Sequence, residues 1–391
     1  MNYFTCKNFV FKSLIYLAFP FLCSCAAQKN IVVKQPEAGN INHLKFINEY
    51  QLPFNLIFKN TTVGGLSGID YDAPNNVYYL ISDDRSHLNP ARFYTANISF
   101  SSIGIDSVNI TGVHYLQQRD GSTYPKISKH ATKTTDPEAM RYNVLTKKLY
   151  WTSEGDRVIS AKDTILIDPT ISMVNTKGQY TDSIPLPANL RMQLADHGPR
   201  RNGVLEGLTF ADNYCSLFVS MEEPMFDDGP QATLTENEAY VRIFKFDLNT
   251  KKNVAQYAYK LNQIPFPSPD NGDMNNGIPD ILWLGNDKML ITERAYSAGR
   301  GGSNIKVFVA DFKGASNIID VASLIKTPAV QPVKKRLAVN MDDLGIYIDN
   351  IEGATFGPVL PNGHQSIVFV ADNNFNPEEK AQFLLFEVIP D

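Results

Sequence analysis

Thiols are scarce in this chain of 391 residues, which contains 4 cysteines. Cys6, Cys23 and Cys25 lie near the amino terminus, and Cys215 is the cysteine of the remainder. If the first segment is removed, no intramolecular disulfide can form, and a metal site built from cysteines is excluded. Cys215 lies in an apolar, strand-like run and is predicted to be a small core residue.

Basic charge is limited as well, since 36 Lys and Arg face 41 Asp and Glu, and the formal net charge is -5. A protein that binds a phosphate backbone needs a basic surface, so nucleic acid is excluded as a partner. Helical periodicity is lacking beyond the first segment, whereas aromatic residues reach 11%, which suits a strand-rich core. We expect a monomer with one domain over residues 41–391.

A long apolar run is also missing. Residues 14–22 are apolar, but a membrane-spanning helix needs about 20 such residues. Lys7 and Lys12 precede the run, which is typical of an export signal. The run ends in Leu22-Cys23-Ser24-Cys25, which resembles the lipobox of bacterial lipoproteins.

The lipobox resemblance implies that residues 1–25 are a signal peptide and that Cys25 carries a lipid. That lipid would be the sole membrane contact and would place the protein in the bacterial cell envelope. The alternative is an ordinary cleaved signal peptide. Residues 26–40 are polar and contain Pro36 and Gly39, so they are predicted to form a flexible tether.

Five related segments recur at nearly equal intervals, beginning at residues 67, 138, 206, 280 and 352. Each contains two short apolar runs, and an acidic residue closes the second. In the third segment these are Glu206-Gly207-Leu208-Thr209-Phe210 and the run from Leu217 to Met221, which Glu222 follows. Regular spacing of this kind indicates a repeat architecture.

Each repeat offers four short β-like runs, which is the content of a propeller blade. The last repeat supplies only three, and residues 44–50 can supply the fourth. Joining the two ends of the chain in one blade would close the ring and remove exposed sheet edges. The sequence therefore predicts an all-β propeller of five four-stranded blades, although the length of the repeats leaves six blades open.

The acidic residues are predicted to meet on one rim of the propeller. In a hairpin the start of the first strand lies beside the end of the second. The pairs expected on this rim are Glu138 with Glu154, Glu206 with Glu222, Asp280 with Glu293, and Glu352 with Asp372, with Asp83 and Asp84 opposite Ser67. The long connections fall on the same side, which indicates the working face. Asp70 and Asp72 are interpreted as turn residues of the opposite side.

So many carboxylates need neutralisation, because two like charges about 4 Å apart repel by roughly 4 kcal/mol near a protein surface. Arg85 and Arg294 follow acidic strand ends directly and can bind an anion. Ca²⁺ suits a site of carboxylates. The candidates are Asp83, Glu154, Glu222, Glu293 and Asp372 as metal ligands, and Glu138, Glu206, Glu352, Arg85 and Arg294 as catalytic residues. The alternative for any one carboxylate is a structural hydrogen-bond acceptor.

In combination, the segments resemble the esterase-like phytase family, or phytase-like domain, from about Leu44 to Ile389. The matching segments are Gly65-Leu66-Ser67-Gly68 with Ser82-Asp83-Asp84-Arg85, Asp136-Pro137-Glu138-Ala139 with Ser153-Glu154-Gly155, Glu206-Gly207-Leu208 with Met221-Glu222-Glu223-Pro224, Thr292-Glu293-Arg294, and Asn350-Ile351-Glu352-Gly353 with Ala371-Asp372-Asn373. The family is similar to calcium-dependent β-propeller phytases, which have six blades. Because of that difference, the resemblance implies a working face and not a set of metal ligands.

The resemblance and the acidic rim together predict a hydrolase that acts on a small phosphate ester with Ca²⁺. The alternative is a non-catalytic surface module that binds a cation, a glycan or a peptide on the same rim. A serine nucleophile is not expected at Ser67, because Gly65-Leu66-Ser67-Gly68-Ile69 departs from the Gly-x-Ser-x-Gly elbow and an all-β repeat lacks its strand-turn-helix context. His197 precedes Gly198-Pro199-Arg200-Arg201 in a rim loop, and it is expected to be a solvent-exposed residue rather than a catalytic one.

Overall fold

The computed structural model describes residues 35–128, 132–327 and 330–391. The predicted signal peptide, Cys25 and residues 26–34 of the predicted tether lie outside these described residues. Within the described ranges, no helix has both the length and the apolar character that a membrane crossing requires.

Strands make up nearly all of the regular structure. In chain order they are β1 Ile41–Gln51, β2 Ile57–Phe58, β3 Thr61–Thr62, β4 Leu66–Asp72, β5 Val77–Ser82, β6 Arg92–Ser101, β7 Gly104–Tyr115, β8 Pro137–Asn143, β9 Lys148–Ser153, β10 Asp156–Ile159, β11 Thr164–Ile167, β12 Thr170–Asn175, β13 Tyr180–Ile184, β14 Leu205–Ala211, β15 Ser216–Met221, β16 Tyr240–Asp247, β17 Lys252–Lys260, β18 Met274–Gly285, β19 Lys288–Ser297, β20 Asn304–Asp311, β21 Lys334–Asn340, β22 Asn350–Phe356, β23 Ser366–Asp372 and β24 Gln382–Pro390. Short 3₁₀ helices occupy Ala73–Asn75, Ala188–Leu190 and Met341–Leu344.

The strands form five antiparallel four-stranded sheets, which are the blades of a propeller. Blade I is β4-β5-β6-β7, blade II is β8-β9-β12-β13, blade III is β14-β15-β16-β17, blade IV is β18-β19-β20-β21, and blade V is β22-β23-β24-β1. The hairpin β10–β11 is inserted in blade II. The prediction of an all-β propeller is confirmed with five blades, and β1 closes the ring against β24 as expected.

The innermost strands β4, β8, β14, β18 and β22 pack in sequence around the axis, and β22 returns to β4. Aromatic side chains fill the wedges between blades. Tyr150 of blade II meets Phe210 of blade III edge-on, with ring centroids 5.0 Å apart, and Phe218 of blade III stacks on Trp283 of blade IV at 5.4 Å. Such pairs contribute about 0.5–1.5 kcal/mol each beyond the apolar area that they bury.

Every innermost strand is irregular at the same place, near the start of its pairing with the second strand. The register shifts fall between Leu66 and Gly68, Pro137 and Met140, Leu205 and Leu208, Gly277 and Asp280, and Ile351 and Gly353. A bulge of this kind turns a side chain away from the sheet face that it would otherwise occupy. In blades II, III and V the bulges contain Glu138, Glu206 and Glu352, which are thereby aimed into the channel.

Two predictions about individual segments are corrected by the structure. Cys215 is exposed, because it lies in the turn between β14 and β15 and not in a strand. Residues 35–40, assigned to the tether, are held against the ends of blades III and IV opposite the acidic rim. Gln35 is buried, its Nε2 donates to the Phe210 carbonyl at 2.5 Å, and the Gly39 N–H donates to the Leu284 carbonyl at 3.2 Å.

Candidate functional site

One end of the channel opens into a cavity of about 890 Å³. Its acidic lining residues are Asp83, Asp136, Glu138, Glu154, Glu206, Glu222, Asp349, Glu352, Glu378 and Glu379. Arg85 and Arg294 are its guanidinium groups, and amide side chains such as Asn275 and Asn350 complete the polar wall. Eight of the ten predicted site residues therefore line a single cavity, all but Glu293 and Asp372.

Local strand geometry explains this convergence. The bulges aim Glu138, Glu206 and Glu352 inward, while Asp83, Glu154 and Glu222 directly follow the last residues of β5, β9 and β15. Asp372 ends β23 in the equivalent place and is buried, and its Oδ1 accepts a hydrogen bond from the Asn374 N–H at 2.7 Å. Burial, and next the neighbouring Glu352 carboxylate, raise the pKa of Asp372 well above its usual range.

Glu293 is not brought to the cavity. Its Oε1 accepts from the Tyr259 hydroxyl at 2.8 Å, and its Oε2 accepts from the Asn262 N–H and from Asn276 Nδ2, each at 3.0 Å. Lys335 forms an ion pair with Glu293. The predicted metal ligand is thus a buried, neutralised group that links β17 of blade III to blade IV.

The predicted pairing of Asp280 with Glu293 is wrong because the register of blade IV differs from the predicted one. Asp280 lies opposite Thr292, and Arg294 lies opposite Gly277. Since side chains alternate between the two faces of a strand, this register sends Glu293 outward and Arg294 into the cavity. Ile278 and Pro279 occupy the bulge that contains Glu206 and Gly207 in blade III.

A polar network closes the channel below the cavity. Arg141 Nη2 donates to both oxygens of Asp280, at 2.9 and 2.7 Å, and the Ala354 N–H donates to Asp280 at 2.7 Å. Asp70 accepts from the Tyr142 N–H at 2.6 Å and from the Thr355 hydroxyl at 3.1 Å. Asp70 is therefore not a turn residue, because it joins blade I to its neighbours, blades II and V. Asp280 is not a rim residue, because it joins blade IV to blade II across the axis and to blade V beside it.

Sequence reasoning missed Arg141, and the signal for it was a charged residue in the middle of an innermost, apolar strand.

Arg294 is held between blades III and V. Its Nη2 lies 2.5 Å from Glu222 Oε1 and its Nη1 lies 3.0 Å from Glu352 Oε1, while Asn350 accepts a further hydrogen bond. Burial alone lowers the pKa of Arg294, but Glu222, Glu352 and Glu206 outweigh it and raise the pKa above its usual range. The guanidinium is consequently a permanent positive charge in the cavity.

Arg85 is the second guanidinium group that lines the cavity. Its Nε lies 3.3 Å from Asp136 Oδ2 and its Nη2 lies 3.2 Å from Asp156 Oδ2. Arg201 approaches the second oxygen of Asp156 at 3.2 Å. Asp136 and Asp156 were not among the predicted residues, and their signal is their position directly before β8 and at the start of the inserted β10.

Two groups of carboxylates are close enough together to hold a metal ion. Asp83, Asp136 and Glu138 form one group, and Glu138, Glu154 and Glu206 form the other. Within each group one oxygen from every residue lies within 4.8 Å of the others. Both groups share Glu138 and offer only hard oxygen ligands, which is the donor chemistry that Ca²⁺ requires.

The protonation of these groups depends on burial. Burial raises the pKa of Glu154 to about 8, and repulsion from Asp136 and Glu222 adds to the shift. Burial also raises the pKa of Asp136 to about 6 and that of Glu352 to about 7, against the opposing charges of Arg85 and Arg294. The pKa is raised well above its usual range for Asp83, Glu138, Glu206 and Asp372. Burial is the largest cause, and repulsion from neighbouring carboxylates adds to it. A cation that binds here must therefore displace protons.

Two further residues considered from the sequence are not part of the cavity lining. The hydroxyl of Ser67 is buried and donates to the Glu138 carbonyl at 2.5 Å, so it fixes the bulge of blade II. His197 Nδ1 lies 2.8 Å from Asp227 Oδ1 in a surface loop, and its ring is largely exposed. Neither arrangement places a nucleophile beside a base in the cavity.

Comparison with known proteins gives a match to one family model. The model is described as Phytase-like, esterase-like activity of phytase, and it matches residues 61–375. No curated protein sequence matches the chain.

Solved structures with a similar course of the chain include an endo-arabinase from Bacteroides thetaiotaomicron, 13% identical, with a TM-score of 0.43 over 87% of this chain and 97% of that chain. A periplasmic gluconolactonase from Pseudomonas aeruginosa is 10% identical, with a TM-score of 0.32 over 84% of this chain and 87% of that one. A gluconolactonase from Xanthomonas campestris is 11% identical, with a TM-score of 0.36 over 90% and 98%. At these identities and TM-scores the likeness carries no inference about activity.

Proposed function

The chain belongs to the Phytase-like family, and on that premise we propose that it is an exported, lipid-anchored hydrolase that cleaves a small phosphate ester with the help of Ca²⁺. The proposal rests on one observation. Two clusters of three carboxylates, which share Glu138, lie in the same cavity as the guanidinium groups of Arg85 and Arg294.

Asp83, Asp136, Glu138, Glu154 and Glu206 are the residues that would hold Ca²⁺. They supply oxygen ligands only. Arg85 pairs with Asp136, whereas Arg294 binds Glu222 and Glu352 instead of these ligands. Bound Ca²⁺ would supply positive charge that attracts phosphate oxygens and makes water more acidic. By displacing the protons of these acidic groups, it would also make the cavity one that accepts an anion.

Arg85 and Arg294 would orient the substrate. A guanidinium group can offer parallel hydrogen bonds to two oxygens of a phosphate. The carboxylates that flank Arg294 fix its plane, so that its position does not depend on substrate. Glu352 lies beside Arg294 and contacts Asn350 at 2.8 Å, which places a proton acceptor next to the proposed anion site.

A second candidate function is a non-catalytic module that binds a cationic ligand. The observation that favours it is that both guanidinium groups already pair with carboxylates. Without metal ions the cavity therefore offers acidic side chains whose protons a cationic ligand can displace. Fold does not distinguish the two functions, because propellers support catalysis and binding alike.

The deciding experiment measures phosphate release from a generic phosphomonoester and from inositol hexakisphosphate, with Ca²⁺ and with EDTA. If the protein is a hydrolase, we expect turnover in the presence of Ca²⁺ and none in EDTA. Glu206→Gln should weaken Ca²⁺ binding at least about tenfold and reduce turnover with it, whereas Glu236→Gln, at an exposed surface ion pair, should change neither. If no substrate is cleaved but Ca²⁺ still raises the melting temperature, the binding module is correct.

The proposed lipid anchor rests on the sequence around Cys25 and has a separate test. Cys25→Ser should move the protein from the membrane fraction to the soluble fraction and abolish incorporation of a labelled fatty acid. Retention of the label in this variant would remove the anchor from the proposal without affecting the proposed activity.

A further inference from the structure

Blade IV breaks the acidic pattern of the ring. At the bulge, blades II, III and V have Glu138, Glu206 and Glu352, whereas blade IV has Ile278. The register of β18 and β19 places Ala295 in blade IV where Glu222 stands in blade III. The other blades supply their acids from two places, the bulge of the innermost strand and the end of the second strand. Blade IV contributes a carboxylate at neither place.

In place of an acid, blade IV contributes the guanidinium of Arg294. Opposite Arg294 is Gly277, and a Cβ at Gly277 would lie 2.5 Å from Cγ of Glu222. The missing side chain therefore lets Glu222 approach Arg294. The Ile278 N–H also donates to the Glu222 carbonyl at 3.0 Å, which fixes the strand end that carries this glutamate.

We propose that Arg294 is a resident cation that occupies the position of a metal ion between Glu222 and Glu352 and confines metal binding to the side of the ring formed by blades I to III. The inference rests on the proposed binding of divalent cations by the carboxylate ring. It assigns Arg294 a second role, which is to set the number and position of the bound ions, in addition to the proposed contact with substrate.

The positions of the charges support this assignment. Arg294 contacts Glu222 Oε1 at 2.5 Å and Glu352 Oε1 at 3.0 Å, and only 16% of its side chain is exposed. Among the described residues, the groups with three convergent ligand atoms draw on Asp83, Asp136, Glu138, Glu154 and Glu206. All of these belong to blades I to III or to the segment directly before β8, and Glu222 and Glu352 belong to neither group.

A guanidinium differs from a bound metal ion because it cannot dissociate from the protein. It also keeps its charge at any ordinary pH. Glu222 and Glu352 therefore keep a partner when divalent cations are removed. A second cation at this position would meet the fixed charge of Arg294, so like-charge repulsion disfavours it. One side of the cavity is consequently fixed, and the other side responds to the supply of metal ions.

The test is the number of Ca²⁺ ions bound per chain, measured by calorimetric titration and by equilibrium dialysis. Arg294→Met should bind one more ion than the unmodified chain, and the added ion should be lost in Arg294→Met combined with Glu352→Gln. Arg336→Met, which changes an exposed arginine paired with Asp391, should leave the number unchanged. An unchanged number in Arg294→Met, while the unmodified chain binds Ca²⁺, would overturn the inference alone.

A second arm does not require Arg294→Met to fold. In the otherwise unmodified chain, Glu352→Gln should leave the number of bound ions unchanged, whereas Glu138→Gln should reduce it. Loss of an ion in Glu352→Gln would overturn the inference. If neither the unmodified chain nor Arg294→Met binds Ca²⁺, the inference and the proposed metal site fail together. If Arg294→Met alone binds it, Arg294 does occupy the position of a metal ion, but the confinement of ions to blades I to III is overturned together with the proposed metal site.

Discussion

At the scale of single residues, the protonation of the cavity carboxylates links stability to pH. In the metal-free protein the pKa values of Asp136, Glu352 and Glu154 are raised to about 6, 7 and 8, against about 4 for such groups in an unfolded chain. Between the unfolded and folded values the native state binds more protons than the unfolded state. Stability therefore falls as pH rises through this window.

We expect the melting temperature in EDTA to fall by several degrees between pH 5 and pH 8, and this fall to shrink in excess Ca²⁺. Carboxyl groups whose pKa is lowered, such as that of Asp182 through Lys251, lose their contribution only below about pH 4 and do not obscure the effect. Differential scanning fluorimetry across this pH range measures it. A flat or rising profile in EDTA would contradict the assigned direction.

The buried pair of Arg141 and Asp280 is the clearest structural ion pair. Asp280→Asn leaves Arg141 without its charged partner in a site where both side chains are at most 2% exposed. Breaking one partner of a buried pair costs about 3–5 kcal/mol. The control is Asp212→Asn, which removes a partly exposed pair with Lys245 and should cost about 1 kcal/mol or less. Denaturant unfolding would compare them, and equal losses would argue against the structural role of Asp280.

At the scale of elements, the bulged innermost strands bring the blades into close contact. A Cβ at Gly207 would lie 2.7 Å from the Asp280 Cα, and one at Gly68 would lie 3.0 Å from the Met140 N. Both obstacles are backbone atoms, which cannot rotate away. Blade II has Ala139 in its bulge, so a methyl group is tolerated where the neighbouring strand leaves more room.

Gly207→Ala should therefore destabilise the protein by about 1–3 kcal/mol, the usual cost of overpacking, and Gly68→Ala should cost less. Because the bulge also aims Glu206, Gly207→Ala should weaken Ca²⁺ binding as well. Chemical unfolding and calorimetry on both variants would measure these effects. A greater loss in Gly68→Ala than in Gly207→Ala would contradict the close approach of blades III and IV.

The elements also separate what the sequence predicts from what it does not. The acidic ends of Glu138–Glu154, Glu206–Glu222 and Glu352–Asp372 were predictable, because hairpin pairing and strand alternation are local rules. The side chain that blade IV sends into the cavity was not predictable, because a register change of one residue exchanges the faces of Glu293 and Arg294. The partnership of Arg141 with Asp280 joins different blades, so no local pattern contains it.

At the scale of the whole molecule, the cavity depends on closure of the ring. Residues from every blade line it, and blade V is complete only when β1 pairs with β24. Leu44 lies opposite Val388 and Phe46 opposite Phe386, and the rings of Phe46 and Phe386 meet edge-on at 5.5 Å. The strand that completes the last blade thus comes from the other end of the chain.

Removal of residues 1–51 should therefore expose the edge of β24, whose unpaired backbone groups would recruit other chains and cause aggregation. The matched control lacks residues 1–34 only, which keeps β1 and the docked segment from Gln35 to Asn40. We expect the control to be a monomer with a single cooperative unfolding transition, and the longer deletion to elute as aggregate or to unfold at a much lower temperature. Light scattering with size-exclusion chromatography, together with thermal unfolding, distinguishes them. A monomeric longer deletion that melts like the control would show that the other four blades hold the ring without β1.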